Sequence, residues 1–289
     1  MKSRSLIATI TLLLLCSGTL GQKRRARTSV SVPIHSTAPI EPTVKQLPRN
    51  YEGADPQILY EALERRSKEN VKGEFETTEA FKTRIAREED RPLTGSITRD
   101  GLIPLAVSKE SDIFDKVTSL YDADKNELAI SIEMDSAIIG VQADFDKRYL
   151  PLRYVFRPSS FYIGQNAYGA RVKIEKRYSY IFALLLENFR DFLTSPSRSY
   201  KDVRTIRLNM TPTEALAAKP VLRVLVLAKL REPYFRHGFT RHKPTVLEPK
   251  DTLSIYQYLV ADATEFWFYN YATGEIYAKL RPRRAPTLD

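Results

Sequence analysis

The chain reads as an α+β domain: two N-terminal helices packed on a largely antiparallel sheet of about seven to ten strands, with one short internal helix. Three observations carry this expectation. Apolar residues recur at helical spacing after residue 55, the period changes to two from about residue 97, and a capping motif with proline interrupts the strands near residue 211.

The first helix begins at Asp55-Pro56, a capping residue followed by proline at the first helical position. Ile58, Leu59, Ala62 and Leu63 form its stripe, and Glu61-Arg65 and Glu64-Lys68 are i,i+4 pairs. Gly73 separates a second helix that starts at Thr77 or Thr78, with Ala80, Phe81, Ile85 and Ala86 as its apolar side. Each helix needs a surface for that side, and the following sheet is the expected one.

Leu128, Ile130, Ile132 and Met134 alternate with polar residues, which marks a half-buried strand. Its hairpin partner is Val117 to Tyr121. A longer alternation runs from Val172 to Leu184, and Ile206, Leu208 and Met210 mark another strand. Thr211-Pro212-Thr213-Glu214 is a capping box, so a short helix covers 212–218. Val221 to Leu230 is apolar on both faces, as in a central strand. Strands at 253–260, 263–269 and 275–280 complete the set, the last two joined across 270–274.

Ahead of this domain the sequence divides twice. Residues 1–21 resemble a signal peptide: Lys2 and Arg4, an apolar run from Leu6 to Leu15, then Thr19 and Gly21 at a signal-peptidase site. The run is shorter than the roughly 20 residues that span a bilayer, so an uncleaved anchor is the weaker alternative. Acylation of Cys16, as in a bacterial lipoprotein, is another, although Leu15 replaces the usual small residue before the cysteine. Cys16 is the chain's one cysteine, so cleavage leaves a body without thiols or disulfides. A periplasmic or secreted bacterial protein is the expected setting. Residues 22–50 read as a basic Pro/Ser/Thr-rich disordered linker, and 51–289 as a single domain.

The formal charge of +10 is concentrated ahead of the domain: +2 lies in residues 1–21 and +5 in 22–50, which leaves +3 for 51–289. That distribution argues against a specific nucleic-acid surface on the domain and allows weak contact of Lys23, Arg24, Arg25 and Arg27 with anionic membrane.

Motifs for chemistry are few. Asp122-Ala123-Asp124-Lys125-Asn126 with Glu133 has calcium-loop spacing, but Glu127 occupies the position that needs glycine and a strand follows, so the segment reads as a turn. Residues 231–243 interleave cations and aromatics in an expected loop, which makes Tyr234, Arg236, His237, Arg241, His242 and Lys243 the candidate anion or glycan contacts. No metal or cofactor motif is present. Gly-x-Ser-x-Gly, Ser-x-x-Lys and His-Glu-x-x-His patterns are absent, and Asp144, Asp146 and Asp262 are carboxylates without a demonstrated partner. The expectation is a non-catalytic binding or structural module of the envelope whose partner is a protein or glycan. An exported hydrolase acting on glycan or ester bonds is the alternative.

Overall fold

The computed structural model describes residues 33–89, 91–109, 116–165, 168–192 and 201–283. The signal segment 1–21 with Cys16, and the cluster Lys23, Arg24, Arg25 and Arg27, lie outside the described residues.

Two short strands, β1 (Ile34–His35) and β2 (Tyr51–Gly53), precede helices α1 (Pro56–Glu69) and α2 (Thr78–Glu89). Next come β3 (Leu102–Ala106), β4 (Val117–Asp122), β5 (Glu127–Ile139) and β6 (Gln142–Phe156). The hairpin of β7 (Ser160–Gln165) and β8 (Arg171–Leu186) follows, then β9 (Lys201–Asn209) and helix α3 (Pro212–Ala218). The chain closes with β10 (Leu222–His242), β11 (Lys250–Asn270) and β12 (Ile276–Leu280).

Among the described residues the fold is mostly sheet, with 12 strands in one mixed sheet and few helices. Its main path is β1-β2-β3-β10-β11-β8-β6-β5-β4, with β12 on β11, β7 on β8 and β9 on β5. The expectation of a largely antiparallel sheet holds for most of the strand pairs, while the expected seven to ten strands are too few and one central pair runs parallel. β8 and β11 pair in parallel from Glu175↔Lys250 to Leu186↔Ala261, at the centre of the sheet. The count rises because β1, β2, β3 and β7 are short and because β6 shows no alternation, its buried residues forming the consecutive run 148–152. The two strands expected at 253–260 and 263–269 are one continuous strand, β11.

Helix α1 begins as its sequence implies: the Asp55 carboxylate accepts the Gln57 N–H at 2.9 Å. Its other oxygen accepts from Arg153 of β6 at 2.7 Å, so the capping residue also ties the helix to the sheet. Leu59, Tyr60, Ala62 and Leu63 enter the main core. The placement of α2 differs from expectation, since none of its residues is buried. Arg84 holds it locally, donating to Glu76 and to the carbonyls of Glu69 and Val71. α3 forms with both bonds of its capping box, Thr211 Oγ1 accepting from Glu214 N–H and Glu214 accepting from Thr211 N–H.

The main core joins α1 to one face of the sheet and to the alternating stripe Leu128, Ile130, Ile132 and Met134 of β5. On the opposite face, Leu225, Leu227, Trp267 and Tyr269 form a second cluster with Leu47 and Tyr51. Residues 33–50 were expected as a disordered linker, yet this part of the segment packs as cover for that cluster. Leu47 is 3% exposed, and Lys279 donates to the carbonyls of Pro42 and Val44. The prolines keep it extended, as their fixed φ dictates, while Leu47 supplies the apolar anchor. Gly274 allows the approach, because a Cβ there would lie 1.8 Å from the Leu47 carbonyl oxygen.

Candidate functional site

The feature that creates a site is a closure. β5, β6, β8, β11 and β10 curve until the β5–β6 turn meets β10: Gly140 N–H donates to the His237 carbonyl at 3.1 Å, and Phe239 N–H donates to the Gly140 carbonyl at 2.8 Å. Gly238 makes this contact possible, since a Cβ would stand 1.8 Å from the Ile138 carbonyl oxygen. The enclosed face carries Ala137, Tyr149, Ile181, Ala183, Leu185, Tyr258 and Val260.

From this packed end a groove of about 710 Å³ opens outward. Its aromatic rings are Tyr149, Tyr154, Phe156, Tyr178 and Tyr256. Tyr154 and Phe156, two apart on β6, are stacked with centroids 6.1 Å apart and planes within 6°. Tyr149 meets Tyr256 and Tyr258 edge-on at 5.7 and 5.6 Å. Around the rings stand the hydroxyls of Ser159, Ser179, Thr240, Thr252 and Ser254.

Two of the tyrosines differ in their hydroxyls. Tyr258 accepts the Ile138 N–H at 3.0 Å. Tyr149 is 8% exposed, lines the groove and has no hydrogen-bond partner among the described residues. Burial pushes both phenols far above their usual pKa, so each stays neutral at physiological pH.

The groove's charges are largely paired. Lys116 binds Asp135 at 2.6 Å and Glu133 at 3.1 Å. Arg177 forks onto Glu175, with both bonds at 2.9 Å, and its hydrogen bonds hold that carboxyl below its usual range. Arg157 packs over the Tyr180 ring at 5.0 Å. The lining thus sets the cations Lys116, Arg157 and Arg177 against the carboxylates Asp135 and Glu175, with His242 at the rim.

The segment expected to be a binding loop is the outer half of β10, laddered to β11 from Phe235↔Leu259 to His242↔Thr252. Strand alternation then divides the candidate residues between two faces. His242 lines the groove, with Arg236 on the same strand face. Arg241 projects to the other face and forks onto Asp251 at 3.0 and 2.8 Å. Tyr234 stands apart, donating to Glu232 and packing under Arg99 beside a small pocket near α1. His237 and Lys243 are exposed. The groove residues not singled out from sequence are Tyr149, Tyr154, Arg157 and Arg177, and the i,i+2 pair Tyr154/Phe156 is the local signal that could have found them.

The remaining sequence candidates fall outside the groove. Asp122 accepts the N–H groups of Asp124 and Lys125 and pairs with the Lys125 ammonium, as a hairpin turn requires. Asp146 pairs with Arg190, Asp262 with Arg231, and Asp144 accepts the Asp146 N–H. Among the described residues, no three His, Cys, Asp or Glu side chains gather as a metal site. No described helix is long and apolar enough to cross a membrane. Comparison with protein-family models, curated proteins and solved structures finds no match to this chain.

Proposed function

We propose that this protein is an exported, non-catalytic binding module whose groove holds a glycan fragment bearing an acidic group. The observation that carries the reading is the lining itself: stacked aromatic faces surrounded by hydroxyls, with Arg157 at the opening. The volume falls within the roughly 300–1,000 Å³ of ordinary ligand sites. Rings offer their faces to the apolar side of a sugar, the Ser and Thr hydroxyls exchange hydrogen bonds with its hydroxyls, and the guanidinium receives the acid.

The hydrolase alternative draws no support from the groove. A general acid needs a raised pKa, and Glu175 is shifted the other way by Arg177. Asp135 is occupied by Lys116. Export rests on the sequence of residues 1–21: an intact mass starting at Gln22 supports it, and a mass starting at an acylated Cys16 replaces it with the lipoprotein route.

The test titrates the protein with a galacturonic-acid oligomer and with its methyl ester, while chromatography follows the sugar. Binding of the acid form, weakened by Tyr154→Ala and by Arg157→Gln, with the oligomer recovered whole, is the expected result. Shortened oligomer would establish the hydrolase instead. No binding of either form would remove the acidic-glycan reading.

A further inference from the structure

We propose a second binding surface, separate from the groove floor: the end of the molecule formed by the β7–β8 hairpin and the β10–β11 connection docks on an anionic lipid surface. Both project from the same end, because β8 and β11 run parallel and pair Glu175 with Lys250 where the projections leave the sheet. Glu175 N–H donates to the Pro249 carbonyl at 2.9 Å, and Tyr162 reaches Asp251.

Large apolar side chains at this end face solvent. Phe161 is 57% exposed, Ile163 63%, Val246 74% and Leu247 98%, and Tyr168 is exposed beside them. Phe161 and Ile163 lie along β7 opposite Glu175 and Lys173 of β8, and Val246 and Leu247 lie in the β10–β11 connection. Exposed apolar groups are thus spread over two neighbouring projections, an arrangement suited to a soft interface rather than to a protein pocket.

Charge separates this end from the rest of the domain. Residues 157–177 carry +4 and residues 241–251 carry +1, against +3 for all of 51–289, so the remainder of the domain is net acidic. Lys173 lies over the Phe161 ring at 4.2 Å, Arg171 and Lys243 stand near the exposed apolar groups in the chain, and Lys250 pairs with Glu248 at 3.5 Å. Apolar tips interleaved with cations complement a bilayer of anionic headgroups. Each Lys or Arg near such a surface strengthens binding by about fivefold at low salt, and the effect fades beyond a Debye length.

The test is co-sedimentation of the mature chain, residues 22–289, with phosphatidylcholine vesicles, with and without one quarter phosphatidylglycerol, at low and high salt. Expected is binding that depends on phosphatidylglycerol, falls with salt, and drops at least tenfold in Ile163→Ser/Leu247→Ser and in Lys173→Glu/Lys243→Glu. A variant replacing Lys23, Arg24, Arg25 and Arg27 with Gln separates this surface from the basic leader and should retain most binding. As a measure independent of variant folding, a dye on Leu247→Cys, the one thiol of the mature chain, should shift to the blue on the anionic vesicles. Equal binding to neutral vesicles, binding unaffected by the tip substitutions, loss through the leader variant alone, or no binding would overturn the proposal. Groove substitutions such as Tyr154→Ala should leave vesicle binding intact, so this surface and the glycan reading fail or stand separately.

Discussion

Replacing Gly238 by alanine tests the closure that shapes the groove. The added Cβ would lie 1.8 Å from the Ile138 carbonyl oxygen and 2.7 Å from its carbon. Ordinary contact begins near 3.4 Å, so strands β5 and β10 must part by about 1.6 Å. That movement breaks the two backbone bonds through Gly140, at 3.1 and 2.8 Å, each contributing about 1 kcal/mol net. Residual overpacking adds about 1–3 kcal/mol, for a total cost of about 3–5 kcal/mol. Urea unfolding measures the loss, and for a domain of this size the melting temperature should fall by roughly 6–20 °C. Hydrogen exchange supplies the local readout: the Phe239 and Gly140 amides should lose protection while the Val224–Ala228 stretch of β10 keeps its own. A variant within about 0.5 kcal/mol of the parent, with the Phe239 amide still protected, would show that the closure does not hold the groove in shape.

Three further outcomes follow from other parts of the molecule. Arg148 and Asp202 are 1% and 2% exposed and bonded at 2.6 Å, so Asp202→Ala leaves a buried guanidinium without its carboxylate and should cost about 3–5 kcal/mol in urea unfolding; an apolar replacement of both partners should recover most of it. Thr211→Ala removes the capping box of α3 and should cost about 1 kcal/mol, while Asp55→Ala loses both a cap and the Arg153 pair and should cost more, by the same assay. Arg84 pulls the Glu76 carboxyl down to about 2, below its ordinary 4.5, so this group's contribution is complete above pH 4.5 and disappears as pH falls through about 2. Glu76→Gln should therefore flatten the acid limb of the stability profile and leave its shape near neutrality unchanged.

Local signals in the sequence were sufficient where the structure is local. Asp55-Pro56 marks the start of α1, Thr211-Pro212 that of α3, and the alternation of β5 identifies a strand whose stripe Leu128, Ile130, Ile132 and Met134 is buried, whereas β8 is a strand as expected but is buried on both faces from Ile181 to Leu186. The parallel pairing of β8 with β11 and the meeting of Gly140 with Gly238 join segments far apart in the chain, and no local period encodes a partner. Residues 231–243 resembled a loop because their cations and aromatics suit solvent on both faces, which an outer strand over an open groove also permits. Residues 33–50 resembled a linker because four prolines suppress any period, so the anchoring by Leu47, with Ile40 and Val44 packed beside it, shows only in the folded sheet.

The placement of the groove follows from how one sheet face is covered. Along β11, Trp267 and Tyr269 lie beneath Leu47 and Tyr51, where the Tyr269 hydroxyl donates to the Tyr51 carbonyl and Trp267 Nε1 donates to Glu265 at 2.6 Å. Toward the other end of the same strand, Tyr258 and Tyr256 face the curved interior, which no added segment covers among the described residues. Leucine in those positions would leave an apolar surface open to water, whereas tyrosine presents a ring for packing and a hydroxyl for solvent or ligand. The step from Tyr258, whose hydroxyl accepts from Ile138, to Tyr149, whose hydroxyl has no described partner, marks where framework gives way to binding surface. Tyr149→Phe should therefore leave stability within about 0.5 kcal/mol of the parent, because no internal bond is lost, and should weaken any groove ligand that accepts from that hydroxyl. Tyr258→Phe leaves the Ile138 N–H without an acceptor and should cost about 1–3 kcal/mol. Urea unfolding of the two variants side by side distinguishes them, and equal losses would mean that Tyr149 belongs to the framework as well.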